Sequence, residues 1–139
     1  MIFQSITLHN LFSYRGQVCF DLARESGATG NIVVILGRNG HGKTSFLNSV
    51  KLLFGGVTKE LREAVLVQRD RPLQEKGFVL GDRDWWGILN HQARAAGEMQ
   101  CAVSAVLVND EGQEIQVSRC WDLGKGDYKS RLQITAPRK

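Results

Sequence analysis

Proline and cysteine are both scarce in this chain of 139 residues, with two of the first and three of the second. Cys19, Cys101 and Cys120 are odd in number, far apart and without a C-x-x-C pair. That excludes a disulfide scaffold and a zinc ribbon, and points to reduced thiols. His9, His41 and His91 lack metal-site spacing as well. No apolar run approaches the roughly 18 residues a membrane span requires. The start, Met1 to Ile6, has neither the basic region nor the continuous apolar core of a signal peptide. No membrane partner is therefore expected, and the chain reads as cytoplasmic. What is present is 42% hydrophobic and 23% charged, with 15 glycines. This balance excludes a disordered tail, a collagen-like repeat and a coiled-coil rod, and suits one compact domain.

The net charge of +4 is unevenly placed. Residues 125–139 carry Lys125, Lys129, Arg131, Arg138 and Lys139 against Asp127 alone, and the preceding residues are balanced. Such a stretch can meet nucleic acid through phosphates, or can be a solvated strand with a frayed end.

Periodicity divides the chain into three stretches. In residues 1–56, 2–8 and 17–22 read as short strands, and Ser13-Tyr14-Arg15-Gly16 reads as the turn between them. After a polar loop over 23–30, Asn31 to Leu36 is a β-branched apolar run that suits a strand buried on both faces, the centre of a mixed sheet. Residues 43–54 follow as a helix with Phe46, Leu47, Val50 and Phe54 as its core stripe, ended by Gly55-Gly56. Residues 57–99 read as a weak helix over 59–68, a loop over 69–83, and a helix to about Ala96 capped by Asp82 or Asp84. That last helix puts Trp86, Leu89 and Ala93 on one side. From Gln100 the period changes to two, and 100–108, 113–121 and 128–135 read as an antiparallel meander. Its turns are 109–112 and 124–127. The expected class is α/β.

Gly37-Arg38-Asn39-Gly40-His41-Gly42-Lys43-Thr44 is G-x-x-x-x-G-K-[ST], the Walker A pattern without a departure. It sits between a buried strand and an amphipathic helix, as the motif requires. Glycines let the backbone wrap a phosphate without Cβ clashes. Successive N–H groups of residues 38–43 converge on the anion, and the helix adds its positive end. Lys43 places an ammonium on the β- and γ-phosphate oxygens, and Thr44 offers a hydroxyl to Mg²⁺. The site residues expected are thus Arg38, Asn39, Gly40, His41, Gly42, Lys43, Thr44 and Ser45, with Lys43 catalytic and Thr44 on the metal.

Other acidic patterns are weaker. Asp84-Trp85-Trp86-Gly87 matches the D-x-x-G of GTPases, but no N-K-x-D motif accompanies it. Val108-Asn109-Asp110-Glu111 imitates a Walker B strand end, yet Asp-Glu-Gly reads better as a hairpin turn. Without it the chain has no carboxylate for the metal and none to orient the attacking water, so it looks like half of an enzyme. A self-contained kinase or NTPase using Asp110 or Glu111, and a regulatory module that binds nucleotide without turnover, remain the alternatives.

The opening Leu8-His9-Asn10-Leu11-Phe12-Ser13-Tyr14 resembles the "L-x-N-F-R-S-Y" start of SMC-like ATPases, which include RecF, RecN and double-strand-break repair ATPases. Asn39 and Gly40 match that family's G-x-N-G-x-G-K-[ST]. Trp86 to Glu98, leading into Val117 to Trp121, is similar to DndD-type ATPases of DNA phosphorothioation, restriction and phage defence. The resemblance implies an N-terminal ATPase lobe (ATP and Mg²⁺ as cofactors). It implies a separate C-terminal lobe with the signature motif and Walker B, and a second head that closes on ATP. DNA and defence-system subunits are the further partners implied, with a nucleoid-associated location. The family's arginine near the nucleotide is Phe12 here, so Ser13 and Arg15 become the implied contacts from that turn. His41 replaces the usual small residue, and it reads as a surface imidazole or as a titratable contact to the γ-phosphate or the opposing head.

Overall fold

The computed structural model describes residues 1–23, 36, 42–66 and 73–137. Two N-terminal strands form an antiparallel hairpin, β1 (Ile2–His9) and β2 (Gln17–Asp21). Four helices follow: α1 (Lys43–Gly55), α2 (Lys59–Val65), α3 (Glu75–Leu80) and α4 (His91–Ala95). Three strands close the described chain, β3 (Gln100–Val108), β4 (Glu114–Leu123) and β5 (Tyr128–Thr135).

The five strands make one sheet in the order β2-β1-β3-β4-β5, antiparallel at every step. This corrects the expected division, in which the first strands belong to a mixed sheet and the meander to a separate antiparallel subdomain. β1 pairs with β3 from Ile2↔Val108 to His9↔Ala102, so the two ends of the chain share a ladder. The pairing buries one continuous apolar face, which neither half could cover alone. The run expected as the central strand, residues 31–36, lies outside the described residues except for Leu36, which is exposed. No described element packs over it.

That buried face carries Ile6, Leu8, Cys101, Val103, Ala105, Leu107, Trp121 and Leu123. The helices lay Phe46, Leu52, Leu53, Leu61, Phe78, Val79 and Ala93 against it, in one cluster. α1 keeps part of the expected stripe, with Phe46 buried and Val50 packed against the core. Its buried residues are Phe46, Ser49, Leu52 and Leu53, whereas Leu47 and Phe54 are exposed. Two apolar stripes share this helix, and the sheet takes the one that includes the small Ser49, whose hydroxyl donates to the Ser45 carbonyl at 2.7 Å. Gly56 ends α1 at φ 72°, and the Arg119 Nε donates to the Leu53 carbonyl at 3.1 Å. That cation neutralises the negative end of the helix from the sheet side.

The segment between α1 and the meander departs furthest from expectation. α2 stops at Val65, capped at its start by the Thr58 hydroxyl, which accepts from the Leu61 N–H at 3.0 Å. Residues 75–80, expected as loop, form α3, because burying Phe78 and Val79 outweighs the helix cost of Gly77. The long helix expected from Asp82 or Asp84 is absent. Residues 82–85 form a tight turn, and Gly87 at φ 83° lies so near the Val79 carbonyl that a Cβ there would sit 2.7 Å away. The true cap is Asn90. Trp86 is therefore exposed rather than core, while Trp85 stacks on Phe78 and donates its indole N–H to the Phe78 carbonyl. Trp121 is core, as expected.

All three thiols are free, Cys19 and Cys120 exposed and Cys101 buried. Burial pushes the Cys101 thiol up to about 12, with nearby Cys120 adding to the rise and Arg94 opposing it. The thiolate is the nucleophile, so Cys101 is inert in the folded chain. Iodoacetamide in mildly alkaline buffer should add two carbamidomethyl groups to the native protein and a third only after denaturation, read by intact mass. A third adduct under native conditions would show that Cys101 is accessible.

Candidate functional site

The N-terminus of α1 is built to face an anion. Gly42 is its cap, at φ 91° and ψ 3°; among the described residues no side chain bonds the first-turn N–H groups, and the turn holds no acidic residue. A helix start left open in this way carries a partial positive charge and free donors. Lys43 and Thr44 occupy the first turn, Lys43 half-buried and Thr44 exposed. No carboxylate among the described residues pairs with Lys43. A cation beside open donors fits a phosphate, and an exposed hydroxyl one residue on fits a metal held against it.

The turn between β1 and β2 reaches this helix. The Ser13 hydroxyl donates to the Ser45 hydroxyl at 2.9 Å. The Tyr14 hydroxyl donates to the Gly42 carbonyl at 2.8 Å. Tyr14 meets Phe20 edge-on at 5.7 Å, and Phe20 meets Phe46 at 4.7 Å, so rings from the turn, β2 and α1 form one stack. Arg15 is exposed and makes no hydrogen bond or ion pair among the described residues. Of the residues expected at the site, Gly42, Lys43, Thr44, Ser45 and Ser13 lie together. Arg38, Asn39, Gly40 and His41 lie outside the described residues.

A buried polar knot holds the turn in place. Asn10 and Phe12 both have positive φ, 49° and 51°. For phenylalanine this conformation costs about 1–2 kcal/mol and persists only where the surroundings enforce it. The Phe12 N–H donates to the Ile88 carbonyl at 2.8 Å, and the Asn90 side-chain amide donates to the Phe12 carbonyl at 3.0 Å. The Asn10 side-chain carbonyl accepts from the Gly16 N–H at 2.7 Å. Sequence reasoning missed Tyr14, Asn10 and Asn90. The available signal was the two asparagines, each set between a leucine and a histidine.

Asp110 and Glu111 sit elsewhere. They lie in the hairpin turn between β3 and β4, where the Asn109 side-chain carbonyl accepts from the Glu111 and Gln113 N–H groups. Asp110 also pairs with the Met1 ammonium at 3.4 Å. That is the Ile2 end of β1, whereas the Ser13 turn leaves its His9 end. Eight residues of strand separate them, about 26 Å. Both carboxylates thus lie at the far end of β1 from Thr44. Lys125, Lys129 and Arg131 are exposed on β5 and the turn before it, and Arg138 and Lys139 lie outside the described residues.

Residues 5–134 match the AAA domain family. The match takes in most of the chain, and the chain belongs to this family. It supports an SMC/RecF-like type of AAA ATPase. The family consists in general of ATPases that bind ATP with Mg²⁺. No curated protein matches the chain. No helix among the described residues is long and apolar enough to cross a membrane.

Proposed function

We propose that this chain is the ATP-binding lobe of an SMC-like, DNA-associated ATPase of bacterial DNA modification, restriction or phage defence. The carrying observation is the juxtaposition at α1: a complete Walker A pattern whose Gly42, Lys43 and Thr44 open an uncapped helix with no acidic residue in its first turn. In this reading the N–H groups of residues 38–43 cradle the phosphates and Lys43 neutralises the β- and γ-oxygens. Thr44 holds Mg²⁺, and Ser45, Ser13 and Arg15 flank the nucleotide. Bound Mg·ATP supplies the phosphoanhydride and the metal charge. The chain's own part is to bind and orient it.

Cleavage needs a carboxylate on the metal side, and Asp110 and Glu111 are about 26 Å of strand away. A second segment of protein therefore completes the site, which fits a C-terminal lobe with Walker B and a second head. The exposed stripe of Leu47 and Phe54 on α1 supports such a lobe, since apolar side chains aligned on a helix are normally covered. The exposed cations of β5 support a DNA partner. A double-strand-break repair ATPase would use the same site and differ only in its partners.

Calorimetry tests the reading directly. The chain should bind ATP in the presence of Mg²⁺, bind AMP far more weakly, and hydrolyse ATP negligibly by phosphate release. Adding the C-terminal half should restore turnover. Sustained hydrolysis by the monomeric chain alone, or AMP binding as tight as ATP, would overturn it.

A further inference from the structure

The Gly42 carbonyl carries two hydrogen bonds. The Phe46 N–H donates to it at 2.9 Å, closing the first turn of α1, and the Tyr14 hydroxyl donates to it at 2.8 Å from outside the helix. A trans peptide points its C=O and the following N–H in opposite directions. Fixing the Gly42 carbonyl therefore also fixes the Lys43 N–H, which points the opposite way, out of the helix start. Tyr14 also fills the space at Gly42, where a Cβ would lie 2.6 Å from its hydroxyl oxygen. The ring cannot swing freely, because it is wedged edge-on against Phe20, itself wedged on Phe46. Ser13, one residue before, bonds Ser45, and Phe12, one residue earlier, is held through Ile88 and Asn90.

We propose that Tyr14 is a positioning residue for the phosphate site: its hydroxyl, braced by the Phe20–Phe46 stack, orients the Gly42–Lys43 peptide so that the Lys43 N–H is aimed at a bound phosphate before nucleotide arrives. The inference rests on the ATP-binding reading. Its function is preorganisation. Without the brace, the left-handed Gly42 is held through its carbonyl by the Phe46 N–H alone, and binding must order it further. Donation to a carbonyl also polarises the peptide and strengthens its N–H as a donor. Burial pushes the Tyr14 phenol above its ordinary value, so it remains a donor through the whole range in which the protein would work.

Tyr14→Phe keeps the ring stack and removes only the hydroxyl. It should weaken ATP and ADP alike by about three- to tenfold, one hydrogen bond's worth. AMP, which lacks the β-phosphate, should be unaffected. In the ligand-free chain, amide exchange over residues 42–46 should accelerate while the melting temperature stays near wild type. A role in packing alone would leave Tyr14→Phe identical to wild type in both measurements, and that result would overturn the proposal. If the wild-type chain binds no ATP, the phosphate-site reading fails. Exchange then still decides the brace: unchanged rates in Tyr14→Phe sink it, and faster rates uphold the contact as an organiser of the helix start. Tyr14→Leu, which also removes the stack, should lose more affinity and lower the melting temperature.

Discussion

Replacing Lys43 by alanine is expected to weaken ATP binding by about 30- to 1,000-fold, the equivalent of about 2–4 kcal/mol. The size follows from the number and charge of the contacts. An ammonium between β- and γ-oxygens makes at least two hydrogen bonds to anionic acceptors, each worth more than a neutral pair. Lys43 has no described ion pair to lose, so the substitution should leave the melting temperature nearly unchanged. That separation of binding from folding makes the experiment clean. Lys43→Arg should not restore affinity, because a planar fork does not occupy the place of a compact point charge. Lys51, exposed further along α1, is the matched control, and Lys51→Ala should bind ATP as the wild type does. Affinity of Lys43→Ala within twofold of wild type would remove this residue from the phosphate site.

The Walker A motif is the plainest signal in this chain, and the reason is locality. The motif is eight consecutive residues whose chemistry depends on one another and on little else. The meander was legible for a related reason: alternation over β3 and β4 reports a half-buried sheet directly, whatever covers the buried side. The arrangement of strands was not legible. Pairing between β1 and β3 joins residues about a hundred positions apart, and no local pattern encodes that partnership.

The phase error on α1 has a specific origin. The expected stripe, Phe46, Leu47, Val50 and Phe54, overlaps a second one at Phe46, which continues through Leu52 and Leu53. Ser49 made the second stripe look polar. In the structure Ser49 satisfies its hydroxyl on the Ser45 carbonyl, so its burial leaves no polar group unpaired. The helix missed at residues 75–80 and the one overextended through 82–96 share another cause. Gly77 and Gly81 are read locally as loop residues and Gly87 as part of a helix, yet Gly77 is accommodated within α3 while Gly81 and Gly87 admit close backbone crossings at φ 102° and 83°. Three-dimensional crowding decides which glycine breaks a helix, and that is invisible in one dimension. The same holds for Tyr14. Its role depends on a bond to Gly42 across 28 positions.

Asn90 shows how a capping residue far from the motif shapes the site, and its replacement carries the largest expected loss of stability. Its side chain is 2% exposed and fully engaged. The carbonyl oxygen accepts from the Gln92 and Ala93 N–H groups, both at 3.1 Å, and the amide donates to the Phe12 carbonyl at 3.0 Å. Asn90→Ala leaves all three groups without this partner, the Ala93 N–H in the interior and the other two part-buried. Loss of a cap costs about 1 kcal/mol, and an unpaired buried carbonyl about 1–3 kcal/mol more. The sum, about 3 kcal/mol, corresponds to a fall of roughly 10 °C in a domain of this size. Asn90→Ser divides the effect. Serine caps the helix, but it is too short to reach Phe12, so it should recover the capping part alone. Phe12 holds a left-handed backbone that it would not keep unaided, and Ser13 and Tyr14 follow it directly. Both substitutions should therefore weaken ATP binding as well, at a temperature where the protein is fully folded. If Asn90→Ser is as stable as the wild type and binds ATP equally well, the asparagine is a helix cap and nothing more. The Phe12 turn is then held by its other contact, the bond to the Ile88 carbonyl.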